Sequence, residues 1–265
     1  MLNLLVAVDT SREASVALRT ACSLSPEVSI QPIYVYGPPG RDIELGAGWA
    51  RHSWEKETSH LAKADIENLV LAERDQCPDI NDPVILKGDS ITKIADYFRQ
   101  NHFDLLVLGA PFRSLETAGL GRCFRNTAPK NNKGLPLLIV RRLRNIRKIV
   151  ALTDGGDSAE RALGLLLRFI PFLTVKIVLV GLARAGDGSH KVQVFNIERG
   201  RAILKEKDVE AQSHTLSELG VKGIKKKLED TDLLVCPVLP HNGYNCLKEL
   251  EINKLRAVLF YIGQE

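Results

Sequence analysis

Long apolar runs and export signals are missing from this 265-residue sequence. Its most apolar window, residues 163–183, is interrupted by Arg168, Pro171 and Lys176, so we expect a buried helix followed by a buried strand, not a membrane-spanning helix. The opening residues, MLNLLVAVDT, contain no basic region followed by a long apolar segment, as a signal peptide would. These absences predict no membrane partner and a cytoplasmic location.

Cysteine and histidine are sparse and show neither a disulfide nor a metal-ligand pattern. The five cysteines are an odd number with no paired short spacing, which predicts reduced thiols rather than a disulfide framework. No two of the six histidines have metal-ligand spacing, so no metal is predicted. No Gly-x-Ser-x-Gly elbow and no nucleophile with a nearby base stands out, and we predict that the protein is not an enzyme.

A strong charge of one sign is also missing. The net charge is +4, from 36 basic and 32 acidic residues, which is too small to predict nucleic acid or an anionic membrane as the main partner. Two basic clusters, residues 141–148 and 222–230, have no interleaved aromatic residues that would stack on bases. We expect solvated faces at both clusters and no nucleic-acid partner.

The chain contains an internal repeat. Residues 4–18, LLVAVDTSREASVAL, align without a gap with residues 149–163, IVALTDGGDSAERAL, at an offset of 145 that places Asp9 on Asp154. Further along, HFDLLVLGAP matches DTDLLVCPVL at an offset of 128. One unit is therefore used twice, and the second copy is shorter in its middle.

Near-continuous aliphatic runs such as LLVAV, LLVLG and KIVLV are typical of parallel strands covered by helices on both faces. Alternation of such strands with helices predicts the α/β class, with two tandem doubly wound parallel-sheet domains at residues 1–143 and 144–265. The closing strands, 136–140 and 257–262, are expected to pair, because their edges would otherwise be exposed. In the first copy we also expect a helix with an apolar stripe at Leu61, Ile66, Leu69 and Leu71.

The segment TDGGDS, residues 153–158, follows a strand and has two interpretations. It resembles a phosphate-binding turn before a helix. Alternatively, Gly155 and Gly156 ease the turn while Asp157 or Ser158 caps the next helix. In the first copy, Thr10 or Ser11 is expected to cap the corresponding helix.

With these features on hand, the sequence resembles the universal stress protein family over nearly its whole length. LLVAVDTSREASVAL looks like the family's first strand with its adenine-contacting aspartate, here Asp9. KGDSITKIADYFRQNHFDLLVLGAP is similar to the family's Gly-Asp turn, helix and following strand. The resemblance implies two domains that are universal stress protein-like and adenine nucleotide alpha hydrolase-like, packed as an intramolecular pseudo-dimer.

The glycine signature that ATP-binding members of the family carry is altered in this sequence. Gly109 supplies the first glycine, but Phe112 replaces the second, and Gly121 lies one residue early and precedes Arg122 instead of Ser or Thr. In the second copy Cys236 replaces the first glycine. Backbone amides of such glycines approach phosphates closely, so their loss predicts that ATP or another adenine nucleotide binds weakly or not at all. Arg113 and Arg122 either replace the amides or form a solvated helix face.

The resemblance implies a nucleotide site in the first copy and a degenerate one in the second. The first consists of Asp9, Thr10, Tyr34, Val35, Gly88, Gly109, Arg113, Gly121 and Arg122; the second consists of Asp154, Val180 and Cys236. Gly88 also has a plain explanation as a turn glycine before the N-cap pair Asp89 and Ser90.

Slow ATP hydrolysis is one alternative, although no general base is evident in the sequence. Two further functions stay open. One is a stress-response protein that binds an adenine nucleotide or related small ligand in domain 1, with domain 2 as structural partner. The other is a nucleotide-independent scaffold for an unknown protein partner. A further homodimer is compatible with both.

Overall fold

The computed structural model describes residues 1–25, 27–36, 49–109, 135–142, 145–169, 174–183, 190–237 and 255–262, with the backbone alone for 49–60 and 262. The strands are β1 Leu2–Ala7, β2 Val28–Tyr36, β3 Val84–Lys87, β4 Leu105–Gly109, β5 Leu135–Val140, β6 Lys148–Thr153, β7 Lys176–Gly181, β8 Ala211–Thr215, β9 Leu233–Cys236 and β10 Ala257–Ile262. The helices are α1 Arg12–Ser23, α2 Trp49–Arg74, α3 Ser90–Gln100, α4 Asp157–Leu166, α5 His190–Lys205 and α6 Leu216–Glu229.

All ten strands form one sheet in the order β3-β2-β1-β4-β5-β10-β9-β6-β7-β8. The first half contributes β1 to β5 and the second half β6 to β10, and each half has the same order read from its outer edge inward. Neighbours within each half are parallel, whereas β5 and β10 pair antiparallel, with Leu138 opposite Leu259. The predicted pairing of the closing strands is confirmed, and the boundary placed between residues 143 and 144 lies outside the described residues.

Equivalent carboxylates brace the start of each central strand pair. Asp104 Oδ2 accepts a hydrogen bond from the Asn3 amide at 2.8 Å, and Asp232 Oδ2 accepts one from the Lys148 amide at 3.1 Å. Their cationic partners differ, because Asp104 binds Arg168 of the second half, whereas Asp232 binds Arg256 of its own half, each at 2.6 Å. The two halves therefore share these backbone hydrogen bonds and differ in their ion pairs.

The hydrophobic core has two layers, one on each face of the sheet. Side chains that alternate along a strand point to opposite faces, so Leu4 and Val6 pack in one layer and Leu5 in the other. All three are fully buried. Both faces are thus covered by helices, as the aliphatic strand runs predicted.

Helix α2 buries a narrower stripe than its sequence suggests. Ile66 is fully buried and Leu69 packs against the core, but Leu61 and Leu71 are 64% and 62% exposed. The spacing of the four predicted residues covers more than one face of a helix with 3.6 residues per turn, and Val70 completes the buried face instead. The predicted stripe is therefore wrong at both of its ends.

Cys22 in α1 and Cys77 after α2 form a disulfide, with Cα atoms 5.9 Å apart. Beside it, Arg19 Nε donates a 2.8 Å hydrogen bond to the buried carboxylate of Glu73, which raises the pKa of Arg19. The prediction that all cysteines are reduced is wrong for this pair. The two residues lie 55 positions apart and become neighbours only when α1 packs on α2.

Across the described ranges, the helices that are long enough to cross a membrane are not apolar enough to do so.

Candidate functional site

A cavity of about 300 Å³ opens at the carboxyl edge of the first half, where the ends of β1, β2 and β4 meet α1 and α3. In a doubly wound sheet this edge is the usual ligand position, because the chain leaves neighbouring strands in opposite directions there. The wall is mostly apolar. Its residues are Ala7, Val8, Asp9, Ala14, Ile33, Tyr34, Val35, Ser90, Ile94, Leu108, Gly109 and Ile139.

Asp9 is the charged residue of this lining, and its two carboxylate oxygens differ in their hydrogen bonds. Oδ1 accepts a 2.9 Å hydrogen bond from the Ser11 amide and thereby shapes the turn into α1. The other carboxylate oxygen makes no hydrogen bond within the described residues and can accept one from a ligand. Asp154 holds the Gly156 amide at 3.0 Å in the same way, so this turn is shared by both halves.

The capping predictions for α1 and α4 need correction. Ser11 is the N-cap of α1, but its side chain makes no capping hydrogen bond. Gly156 is the N-cap of α4, and Asp157 lies within the first helical turn. The preceding aspartate in each half binds the N-cap amide, which orders the turn without a hydroxyl cap.

Gly109 allows α1 to sit directly on the end of β4. A Cβ atom at this position would overlap the backbone carbonyl oxygen of Glu13. No larger residue fits there without moving α1, so the cavity wall depends on this glycine.

Tyr34 brings a phenol into the cavity lining, and its ring stacks on Tyr36 with centroids 6.4 Å apart. Burial raises the pKa of Tyr34, and the charges of Asp9 and Asp65 raise it further. The phenol therefore stays protonated near neutral pH and can donate a hydrogen bond.

Helix α3 begins at the cavity with a firmly built cap. The Asp89 side chain accepts hydrogen bonds from the Thr92 hydroxyl at 2.7 Å and the Thr92 amide at 2.9 Å, which lower the pKa of Asp89. Gly88 precedes this cap with φ of +144°, which confirms its expected role as a turn glycine. The cap places Ser90 and Ile94, one helical turn apart, in the cavity wall.

The same edge of the second half is filled by side chains of α5. Gly155 has φ of +70°, and a Cβ atom there would overlap Asn196 Oδ1. The buried Asn196 also donates a 2.7 Å hydrogen bond to the Leu182 carbonyl. At the end of β7, a Cβ atom on Gly181 would overlap the backbone carbonyl of Gln193. Helix α5 thus packs directly on the turn that corresponds to the cavity-lining Asp9 turn of the first half.

The two glycine amides of TDGGDS are already hydrogen-bonded within the turn. Gly155 N donates to Thr153 Oγ1 at 3.3 Å, and Gly156 N donates to Asp154 Oδ1. A phosphate would need these amides unbonded and the space that Asn196 occupies. The phosphate-turn interpretation is therefore wrong for the second half.

A hydrogen-bond network joins α5 to the start of α6. The Ser217 amide and hydroxyl both donate to Gln193 Oε1, at 2.9 and 3.0 Å. His190 Nδ1 lies 3.1 Å from the same hydroxyl. The buried Gln193 makes the network a structural one.

Two solved structures match the fold of this chain over nearly its whole length. A universal stress protein from Archaeoglobus fulgidus DSM 4304 aligns over 98% of each chain, with 12% identity and a TM-score of 0.63. A functionally unknown protein from Pseudomonas aeruginosa PAO1 aligns over 98% of this chain and 92% of its own, with 12% identity and a TM-score of 0.56. The chain has the universal stress protein fold. No protein-family model matches it, and no curated protein does.

Within the universal stress protein fold, the structure brings only some of the predicted site residues together. Asp9, Tyr34, Val35 and Gly109 line one cavity. Thr10 and Gly88 lie nearby but outside the lining. Arg113, Gly121 and Arg122 lie outside the described residues. In the second half, Val180 and Cys236 are buried in the core layer, and Asp154 shapes its own turn.

Sequence reasoning missed the other eight residues of the lining, which are Ala7, Val8, Ala14, Ile33, Ser90, Ile94, Leu108 and Ile139. Ser90 and Ile94 could have been found, because they lie one turn apart directly after a recognisable N-cap. The strand residues carry no such signal, since their side chains look like ordinary core.

Proposed function

We propose that the protein is a non-enzymatic, universal stress protein-type stress-response protein. The cavity of its first half takes the nucleoside part of an adenine nucleotide or a related small ligand, and its second half is a structural partner. The observation that carries the proposal is the open carboxyl-edge cavity with Asp9 at its turn.

The chemistry of the lining supports a purine nucleoside. Apolar walls at Val8, Ile94 and Leu108 suit the faces of a planar base. The Asp9 oxygen that Ser11 does not use can accept hydrogen bonds from an exocyclic amine or a ribose hydroxyl, and the Tyr34 phenol can donate one.

The size of the cavity supports the nucleoside part over a whole triphosphate. A volume of about 300 Å³ lies at the lower end of the range for ligand pockets. A triphosphate tail would extend beyond this volume. We therefore expect adenosine and AMP to bind about as well as ATP.

Calorimetric titration with adenosine, AMP, ATP and cyclic dinucleotides tests the proposal. We expect saturable binding that Asp9→Ala weakens about tenfold or more, the cost of losing a hydrogen bond to a charged group. Asp154→Ala is the matched control, because it changes the equivalent turn of the second half and should leave affinity unchanged. Asp9→Asn keeps an oxygen for the Ser11 amide and separates loss of charge from loss of the turn.

The same titration distinguishes the proposed function from the alternative scaffold function. No heat from any of these ligands at millimolar concentration would remove the ligand proposal and leave the scaffold. Binding that Asp9→Ala and Asp154→Ala weaken equally would show that the ligand lies elsewhere.

A further inference from the structure

A second and larger cavity lies at the opposite edge of the second half. It has a volume of about 650 Å³ and is lined by the amino ends of β6, β7 and β8 and by the last turn of α6. This is well within the size range of small-molecule sites. The proposed nucleoside cavity is in the other half and at the other end of its strands, so the two cavities are separate.

Three lysines from three different elements surround this cavity. Lys148 begins β6, Lys176 begins β7 and Lys227 lies in the last turn of α6. Lys148 and Lys227 are half-buried. Within the described part of the chain, no side chain forms an ion pair or hydrogen bond with any of the three ammonium groups. Lys176 is exposed, but the other two cations are partly desolvated, and without counter-ions they favour an anionic ligand.

The rest of the lining limits what that anion can be. Val175, Ile177 and Ala211 form an apolar wall beside the lysines. Glu210 is the acidic residue of the lining; it is exposed and makes no ion pair among the described residues. A ligand that matches both surfaces carries concentrated negative charge and an apolar body.

The same place in the first half is closed, which shows that the cavity is not a general property of the fold. Asn3 and Gln31 replace Lys148 and Lys176 there, by the 145-residue offset. Gln31 Nε2 donates to the Asp82 carbonyl at 2.7 Å, and Arg74 pairs with the Asp82 carboxylate at 2.6 Å.

Backbone pairing completes this closure. The Ile30 amide donates to the Asp79 carbonyl at 3.0 Å, and the Asn81 amide donates to the Ile30 carbonyl at 2.8 Å. The chain before β3 therefore lies along the start of β2. Arg99, the counterpart of Lys227, pairs with Asp96 at 3.0 Å. The first half thus pairs its charges and the second half leaves three lysines facing a cavity.

We propose that this lysine cavity is a binding site for a small organic phosphate with an apolar body. Lysine ammonium groups act as compact point charges that suit phosphate oxygens approached from several directions. Three of them converge on one volume, and the aliphatic wall contacts the remainder of the ligand. A concave site of this size favours a small molecule over the extended backbone of a nucleic acid.

Phenyl phosphate is a suitable probe. Inorganic phosphate, which has the charge alone, and phenol, which has the apolar body alone, are its reference ligands. In calorimetric titrations we expect phenyl phosphate to bind more tightly than either half, and less tightly as salt rises. Lys148→Gln and Lys227→Gln should each weaken it about tenfold. Glu210→Gln should strengthen it a few-fold, because it removes a repelling carboxylate.

Lys222→Gln is the matched control, since Lys222 is an exposed lysine of the same helix outside the cavity. It should leave phenyl phosphate binding unchanged, and so should Asp9→Ala, which separates this proposal from the proposed nucleoside site. No saturable binding of phenyl phosphate, or equal weakening by Lys222→Gln and Lys227→Gln, would overturn the proposal. A single-stranded oligonucleotide is the second test ligand. The proposal would also be overturned if it bound more tightly than phenyl phosphate and if Lys222→Gln and Lys227→Gln weakened its binding equally, because the lysines would then belong to a general charged face.

Discussion

Gly181 of β7 and Tyr36 of β2 occupy equivalent positions at the carboxyl edge, and the two edges differ around them. Gly181 has no side chain, so α5 packs its backbone against the strand and places Asn196 over the Gly155 turn. Tyr36 instead stacks its ring on Tyr34, beside an open cavity. A tyrosine is incompatible with the close approach that α5 makes to Gly181. The comparison teaches that one strand-end residue determines whether a helix covers the carboxyl edge or leaves a cavity there.

The largest expected difference between the halves is redox sensitivity. Only the first half has a disulfide among the described residues, and it closes a loop of 55 residues between α1 and the end of α2. Cys22→Ser with Cys77→Ser should lower the free energy of unfolding by roughly 4 kcal/mol, the loop-entropy cost of such a crosslink. Thermal unfolding with and without reductant measures this. The double variant should no longer respond to reductant, and an unchanged response would contradict the prediction.

The packing of α5 on the carboxyl edge of the second half can be disrupted by a substitution at Gly155. Gly155→Ala should destabilise the protein by about 1–3 kcal/mol, because a positive φ and overlap with Asn196 both oppose a Cβ atom. Gly164→Ala, within α4, is the matched control, since a Cβ atom there would meet nothing within 4 Å. Denaturant unfolding of both variants measures the difference. Equal losses would contradict the proposed packing of α5.

The helix starts after β3 and β8 offer a smaller contrast. Asp89 caps α3 with a carboxylate, whereas Thr215 caps α6 with a hydroxyl in a capping box with Glu218. Asp89→Ala and Thr215→Ala should each cost about 1 kcal/mol near neutral pH. Chemical unfolding at a series of pH values measures both losses.

Acid should separate these two caps. The pKa of Asp89 lies below its ordinary value of 3.8, so its stabilising effect is complete above that value and is lost as pH falls through the lower folded pKa. The effect of Asp89→Ala should therefore shrink in acid. The threonine hydroxyl does not titrate, although the hydrogen bond from the Thr215 amide also lowers the pKa of Glu218. Asp89→Asn, which keeps a capping oxygen, should remove the acid dependence at position 89 and retain most of the cap.

The smallest expected effect is on the titration of Tyr34. Burial and the charge of Asp9 raise its pKa above 10, so the folded state favours the neutral phenol, and that contribution is lost as pH rises through the folded pKa. Asp9→Asn should move the pKa of Tyr34 back toward its ordinary value, whereas Asp154→Asn should not. Phenolate absorbance, taken as a difference from Tyr34→Phe, measures the shift. No movement in Asp9→Asn would mean that Asp9 and Tyr34 do not share the cavity.

Much of the fold could be predicted from the sequence because parallel strands buried on both faces are continuous aliphatic runs. The 145-residue offset located Asp9 and Asp154 at equivalent turns, and the closing strands paired as expected. These signals are local or repeated, and local signals are what a single sequence carries.

Contacts between distant segments were not predictable in this way. Gln193 and Asn196 look like surface residues of a polar helix, yet they are buried against the β6 and β8 turns. Cys22 and Cys77 have no motif spacing. The three lysines of the second cavity are far apart in the chain and only the packed sheet brings them together. Each depends on how elements dock, which hydrophobic periodicity does not specify.

The six register pairs between β5 and β10 make each half the neighbour that protects the other half's innermost strand. If one half unfolded alone, the innermost strand of the other half would expose unpaired backbone N–H and C=O groups along an apolar strand. The two halves should consequently unfold in one cooperative step. A ligand bound at either cavity would then raise the resistance of both halves to heat and to proteolysis.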